Sequence, residues 1–153
     1  MASNIPSNIP SNTPVTEFLL QHLQAEGYQA SLDSDGDIAF RFEGMGYVLC
    51  FDEDDAQFAK LILPNVWSID TPDELQRVLA ALDEVNRRIK LVKGHAVRGQ
   101  VWFCIEMLLV DQRHWSVFLS RATRAISHAT SMFAAEMRAS AVAAQAIADA
   151  GAS

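Results

Sequence analysis

The stretch Thr71-Pro72-Asp73-Glu74-Leu75-Gln76-Arg77-Val78-Leu79-Ala80-Ala81-Leu82-Asp83-Glu84-Val85-Asn86-Arg87-Arg88-Ile89 decides the architecture. Thr71 is placed to cap a helix and Pro72 to take its first position, where a missing N–H costs nothing. Glu74, three residues after the cap, completes the pattern of a capping box. Leu75, Val78, Leu79, Leu82, Val85 and Ile89 then recur at three and four, so one apolar stripe is expected against a sheet while Gln76, Arg77, Asp83 and Arg87 face water. A helix this amphipathic needs a layer to cover, and the sequence on either side supplies it.

Upstream, Tyr28 to Leu32 leads through Asp33-Ser34-Asp35-Gly36 into Asp37 to Glu43, where Ile38, Phe40 and Phe42 alternate as in a half-solvated antiparallel strand. Gly44-Met45-Gly46 reads as a turn into Tyr47 to Asp52. Glu53-Asp54-Asp55 turns the chain again into Phe58 to Leu63, which Pro64 is expected to stop. Before this meander, Thr13 and Pro14 open a helix with Phe18, Leu19, His22 and Leu23 on one face and Gly27 at its end. Downstream, Arg98-Gly99 joins the strands Lys90 to Val97 and Gln100 to Leu109. The second alternates Val101, Phe103, Ile105 and Met107 with Trp102, Cys104, Glu106 and Leu108, so it is expected to be central or covered on both faces. A last helix after Asp111 carries Trp115, Phe118, Leu119, Ala122, Ile126, Ala129, Phe133 and Met137 on one face.

The expected fold class is therefore α+β: helix, four-strand antiparallel meander, helix, two strands, long C-terminal helix, with the helices on the sheet. Residues 14–139 are expected to form a single domain. Residues 1–13, built on the repeat Ser-Asn-Ile-Pro, are expected to be a disordered leader, and the alanine-rich residues 140–153 a helical or frayed tail.

The 153 residues are 50% hydrophobic and 20% charged, a globular balance with enough length for a core. The formal net charge of -7 argues against nucleic acid and anionic membrane as partners. No apolar run reaches the length of a spanning helix, and no secretory leader pattern opens the chain, so a cytoplasmic address is expected. Cys50 and Cys104 sit in apolar runs, as reduced buried thiols do. The acid is concentrated: Asp33, Asp35, Asp37, Glu43, Asp52, Glu53, Asp54 and Asp55 are opposed only by Arg41, and acidic and basic residues balance elsewhere.

None of the motifs that carry chemistry is present. Asp33-Ser34-Asp35-Gly36-Asp37 has its glycine at the wrong position for a calcium loop and strands on both sides, so it reads as a hairpin turn. Asp52, Glu53, Asp54 and Asp55 offer hard oxygens to a cation but read first as a solvated turn. His22, His95, His114 and His128 lack metal-ligand spacing, and Cys104 lies in an apolar strand that disfavours a thiolate. No catalytic, cofactor-binding or metal-binding residue is assigned. The candidate partner-binding residues are the acidic turn Asp52, Glu53, Asp54 and Asp55, the Arg87 and Arg88 pair that opens a basic run with Lys90, Lys93 and Arg98, and Trp67. The last reads equally as a loop anchor or as a plug between sheet and helix.

Several stretches together resemble the YbjN family, described as bacterial sensory transduction regulators with a fold related to type III secretion chaperones. They are Asp33 to Phe40, Asp52 to Asp55, Leu63-Pro64-Asn65-Val66-Trp67-Ser68-Ile69-Asp70, and Glu84-Val85-Asn86-Arg87-Arg88-Ile89-Lys90, with Trp102 and Glu106-Met107. The resemblance covers Phe18 to Met137. It implies an α+β domain with a twisted antiparallel sheet, a tendency to dimerise, no enzyme activity and no cofactor. The expected function is a non-enzymatic protein-binding domain, regulatory or chaperone-like, that holds a segment of a partner protein. The rival is a small metal- or ligand-dependent enzyme using the acidic turns with His95 or His114. A homodimer is expected, with Arg87, Arg88, Lys90 and Lys93 of one copy facing Asp52 to Asp55 of the other.

Overall fold

Leu61 stands at the centre of the sheet, opposite Leu49 on one side and Ile105 on the other. Ile38 extends the row beyond Leu49, and all four side chains are buried. The computed structural model that shows this describes residues 14–52 and 54–152, so the leader, Thr13 and Glu53 lie outside the described residues.

The order is α1 (Val15–Ala25), β1 (Ala30–Leu32), β2 (Ile38–Phe42), β3 (Met45–Phe51), β4 (Phe58–Ser68), α2 (Pro72–Arg88), β5 (Lys93–Val97), β6 (Gln100–Leu108), a single 3-10 turn Gln112–His114, and α3 (Trp115–Gly151). The strands form one antiparallel sheet in the order β1-β2-β3-β4-β6-β5, so α2 carries the chain over β6. The expected α+β class and element order are what the chain adopts. All three helices bury their stripes in one core on the Leu61 face, with Leu19 and Leu23 from α1, Val78 and Val85 from α2, and Ile126 and Phe133 from α3.

Several local expectations need correction. Pro64 does not stop β4, which runs on to Ser68. The register with β6 shifts between Leu63 and Trp67, and Asn65 there adopts φ 55°. A bulge leaves a position outside the ladder, and proline is tolerated there because it has no donor to pair. Trp67 is consequently a strand residue and not a loop residue. Its indole edge meets Phe133 at 5.9 Å between ring centroids, and its Nε1–H donates to Glu74 Oε1 at 2.9 Å. Glu74 does not close a reciprocal capping box: Thr71 Oγ1 accepts from the Glu74 N–H, but the carboxylate accepts from the Asp70 N–H and from Trp67. The Asp70 N–H and then the Trp67 indole hold the Glu74 carboxyl below its ordinary pKa.

The β2–β3 turn is Glu43-Gly44, both at positive φ as in a tight two-residue hairpin, and Gly46 lies inside β3. Leu79 is exposed although its spacing places it with the α2 stripe. β6 is an interior strand between β4 and β5, the first of the two expected alternatives, and the helices cover one of its faces. On its other face Trp102 is half-buried and Cys104 is buried by neighbouring strand side chains.

Each edge of the sheet is partly capped by a side-chain amide. Asn86, on the last turn of α2, accepts from the Gly94 N–H at 2.7 Å and donates to the Gly94 carbonyl at 3.0 Å, so it occupies the place of a neighbouring strand along β5. At the opposite edge Gln24 of α1 donates to the Ala30 carbonyl at 3.0 Å. Unpaired edges template foreign strands, and these amides remove part of that template. Gly94 also has no room for a side chain: a Cβ there would lie 2.5 Å from the Phe103 ring and 2.8 Å from Leu82.

Two substitutions probe this contact through urea denaturation. Asn86→Ala deletes both bonds and is expected to cost about 2 kcal/mol. Gly94→Ala keeps them but forces Phe103 or Leu82 aside, and is expected to cost roughly 1–3 kcal/mol or more. An unchanged midpoint for both variants would contradict this account.

Candidate functional site

The clasp at Asn86 and Gly94 leaves only a short connector between α2 and β5, and this connector is one wall of an apolar groove of about 510 Å³. Arg88, Ile89, Lys90 and Leu91 supply that wall, Ile105 and Met107 of β6 the floor, and Phe118, Ala122 and Ala125 of α3 the opposite wall. The spacing Phe118, Ala122, Ala125 puts all three on one helical face. Ala122 and Ala125 are small, so their side chains leave space in the groove that larger residues would fill. Phe118 was expected inside the core, yet it is 38% exposed because it borders this depression.

Leu91 is the unusual wall residue. It is 73% exposed and its backbone lies at φ 69°, a left-handed conformation that a bulky side chain seldom adopts. The other non-glycine residues with positive φ, Glu43, Asn65 and Arg98, lie at hairpin turns or the β4 bulge. Leu91 instead lies inside the connector, before Val92 and β5, where its side chain borders the groove and stays largely exposed.

Arg88, Lys90 and Arg121 give the groove rim positive charge, His128 stands beside them, and no carboxylate is among the described lining residues. Arg88 reaches Glu84 Oε1 at 3.3 Å, and Glu84 also binds Arg87. Lys90 and Arg121 make no ion pair among the described residues.

The predicted site residues are not assembled into one place. Arg88 lines the groove, whereas Arg87 is tied to Glu84 outside it. Trp67 is clamped between Glu74 and Phe133. Asp52 and Asp54 line a separate depression with Cys50, Phe51, Phe58 and Lys60. Asp52 Oδ1 accepts from the Asp54 N–H and Asp55 Oδ1 from the Gln57 N–H, so these carboxylates build their own turn. Lys93, from the same basic run, is held by Glu106 at 2.7 Å. Reasoning from sequence missed Leu91, Phe118, Met107 and Arg121; the one available signal was the low Ala122 and Ala125 positions beside an aromatic on the α3 stripe.

The uncovered sheet face gathers His95, Trp102, Cys104 and Glu106 around a cavity of about 110 Å³. His95 Nδ1 and Trp102 Nε1 find no hydrogen-bond partner there. Burial, and then the Lys93 charge, lower the His95 pKa; burial raises that of Cys104. Burial and the nearby Asp37 push the Cys50 thiol up to about 12, so neither cysteine is prepared as a nucleophile. Among the described residues no three His, Cys, Asp or Glu side chains stand close enough to hold a metal ion, and no helix is long and apolar enough to cross a membrane.

The family model TY-Chap1, described as "T3SS (YopN, CesT) and YbjN peptide-binding chaperone 1", matches residues 14–144. The chain belongs to this family. The crystal structure of YbjN from E. coli matches the fold with a TM-score of 0.58 at 12% sequence identity, covering 76% of this chain and 89% of that one. No curated protein matches the chain. The resemblance to YbjN and to type III secretion chaperones is thus met at the level of family and fold.

Leu91→Gly separates holding a groove wall from holding the fold together. Glycine relieves the left-handed backbone, adds freedom to the unfolded chain, and removes a side chain that buries little. Thermal unfolding is expected to stay within about 1 kcal/mol of the parent. A loss of several kcal/mol would show that Leu91 is a packing residue.

Proposed function

We propose that this chain is a non-enzymatic holder of peptide segments and that the groove between the α2–β5 connector, β6 and α3 receives them. The observation that carries this reading is the groove itself: an open apolar depression with Leu91 and Phe118 presented at its sides. Apolar side chains spaced along an amphipathic segment dock into such grooves. Addition of a strand at the sheet edges is disfavoured because Asn86 and Gln24 already occupy backbone groups there. The family's description as peptide-binding chaperones points the same way. A concave groove suits an extended or helical chain segment better than a folded surface, which favours chaperone-like holding over a regulatory contact between folded domains. The acidic turn then acts in solubility and orientation rather than as an enzyme's metal site.

The test is fluorescence anisotropy with a labelled peptide of the pattern Leu-x-x-Phe-x-x-Leu. Binding is expected, weakened roughly tenfold by Phe118→Asp, since the contact buries one large apolar side chain. Binding that ignores Phe118→Asp, or that shifts amide resonances only around Asp52 and Asp54, would reject the groove.

Self-association is proposed separately. Val142 and Ile147 are 71% and 74% exposed on α3 beyond Met137, the last buried residue of the helix. A second copy would cover this apolar end in a symmetric pair. Sedimentation equilibrium is expected to show a dimer that Val142→Glu with Ile147→Glu converts to monomer; a parent monomeric at every concentration would end this proposal.

A further inference from the structure

We propose that the segment received by the groove is acidic, carrying large apolar side chains with Asp or Glu beside them. This inference rests on the groove being a peptide site and goes on to specify the chemistry of its occupant. The rim places Arg88, Lys90, Arg121 and His128 around an apolar interior with no carboxylate among the lining residues. Only Arg88 of the three permanent cations has a partner, Glu84, and that pair is solvent-exposed. Lys90 and Arg121 are left without a counter-charge among the described residues, at the mouth of a low-dielectric depression where an incoming carboxylate is less screened than in bulk water.

This cationic mouth belongs to a chain of net charge -7 whose excess acid lies in residues 33–55, on β2, β3 and their turns. None of the described residues in that range lines the groove. The resulting field repels an acidic segment from the turns and admits it at the groove, which raises the productive encounter rate as well as the affinity. A lysine-rich segment would be drawn instead to Asp52 and Asp54, where the depression is bordered by Lys60 and offers no comparable apolar floor.

The experiment uses the full chain and three labelled peptides that share the apolar positions of Leu-x-x-Phe-x-x-Leu and carry Asp, Gln or Lys at every x. In low salt the Asp peptide is expected to bind roughly threefold to tenfold more tightly than the Gln peptide, as a few exposed ion pairs provide, and the Lys peptide most weakly. Added salt should close the gap. Lys90→Gln combined with Arg121→Gln should close it as well, by lowering the Asp peptide's affinity toward that of the Gln peptide; a gap that survives this double variant would overturn the acidic preference. If no peptide binds, the peptide-site reading itself falls and takes the inference with it. Equal binding of all three peptides to the parent, lost with Phe118→Asp, would overturn the acidic preference while the groove stands. Tight binding of oleate with none of the Asp peptide would overturn it too, by assigning the groove to an anionic amphiphile.

Discussion

The two hydrogen bonds between the Asn86 amide and the Gly94 backbone connect the parts of this molecule that matter for its surface. They fasten the last turn of α2 to the outer edge of β5, with seven residues between the two partners. Ile89 leaves the helix in an extended conformation, and Leu91 is turned into left-handed backbone before β5 begins. Gly94 must be glycine because α2 approaches so closely that Leu82 and the Phe103 ring fill the space a Cβ would need. A helix pinned this tightly cannot also cover the far end of β6. Met107 is accordingly left half-buried, and the ground between the connector and α3 stays open.

The same clasp shapes how a partner can be met. A six-stranded sheet ordinarily offers its edges to extended chains, but here an amide from α2 and an amide from α1 take up backbone groups at either side. In the proposed reading, contact with a partner shifts from backbone pairing to side-chain burial. Under that proposal, specificity rests on the shape of the groove and the charge of its rim, which depend on individual residues such as Arg121 and Lys90 more than on the fold.

Much of the architecture was legible in the sequence because it rests on local rules. The Thr71-Pro72 start of α2, the alternation Ile38, Phe40, Phe42 and the Arg98-Gly99 turn each need only neighbouring residues to specify them, and each stands where the sequence placed it. The errors arose where a distant partner overrides a local preference. Pro64 is a strand breaker by itself, but a register shift against β6 carries β4 past it to Trp67. Glu74 would close a capping box on its own helix, yet Trp67 and Asp70 supply the donors that its carboxylate takes.

The candidate site was hidden for the same reason. Arg87 and Arg88 look alike in sequence, but helical rotation puts only Arg88 on the groove. Phe118 has the spacing of a core residue and becomes a surface one because no described residue fills the space beside it. The sequence by itself determined the helices, the strands, the acidic segment and the absence of recognisable catalytic motifs, since periodicity, turn chemistry and residue type are local properties. Only the tertiary structure decided that Leu91, Met107, Phe118 and Arg121 meet around one depression. Their convergence depends on where α2 is pinned to β5, and that pin is a contact between a side chain and a backbone eight residues away.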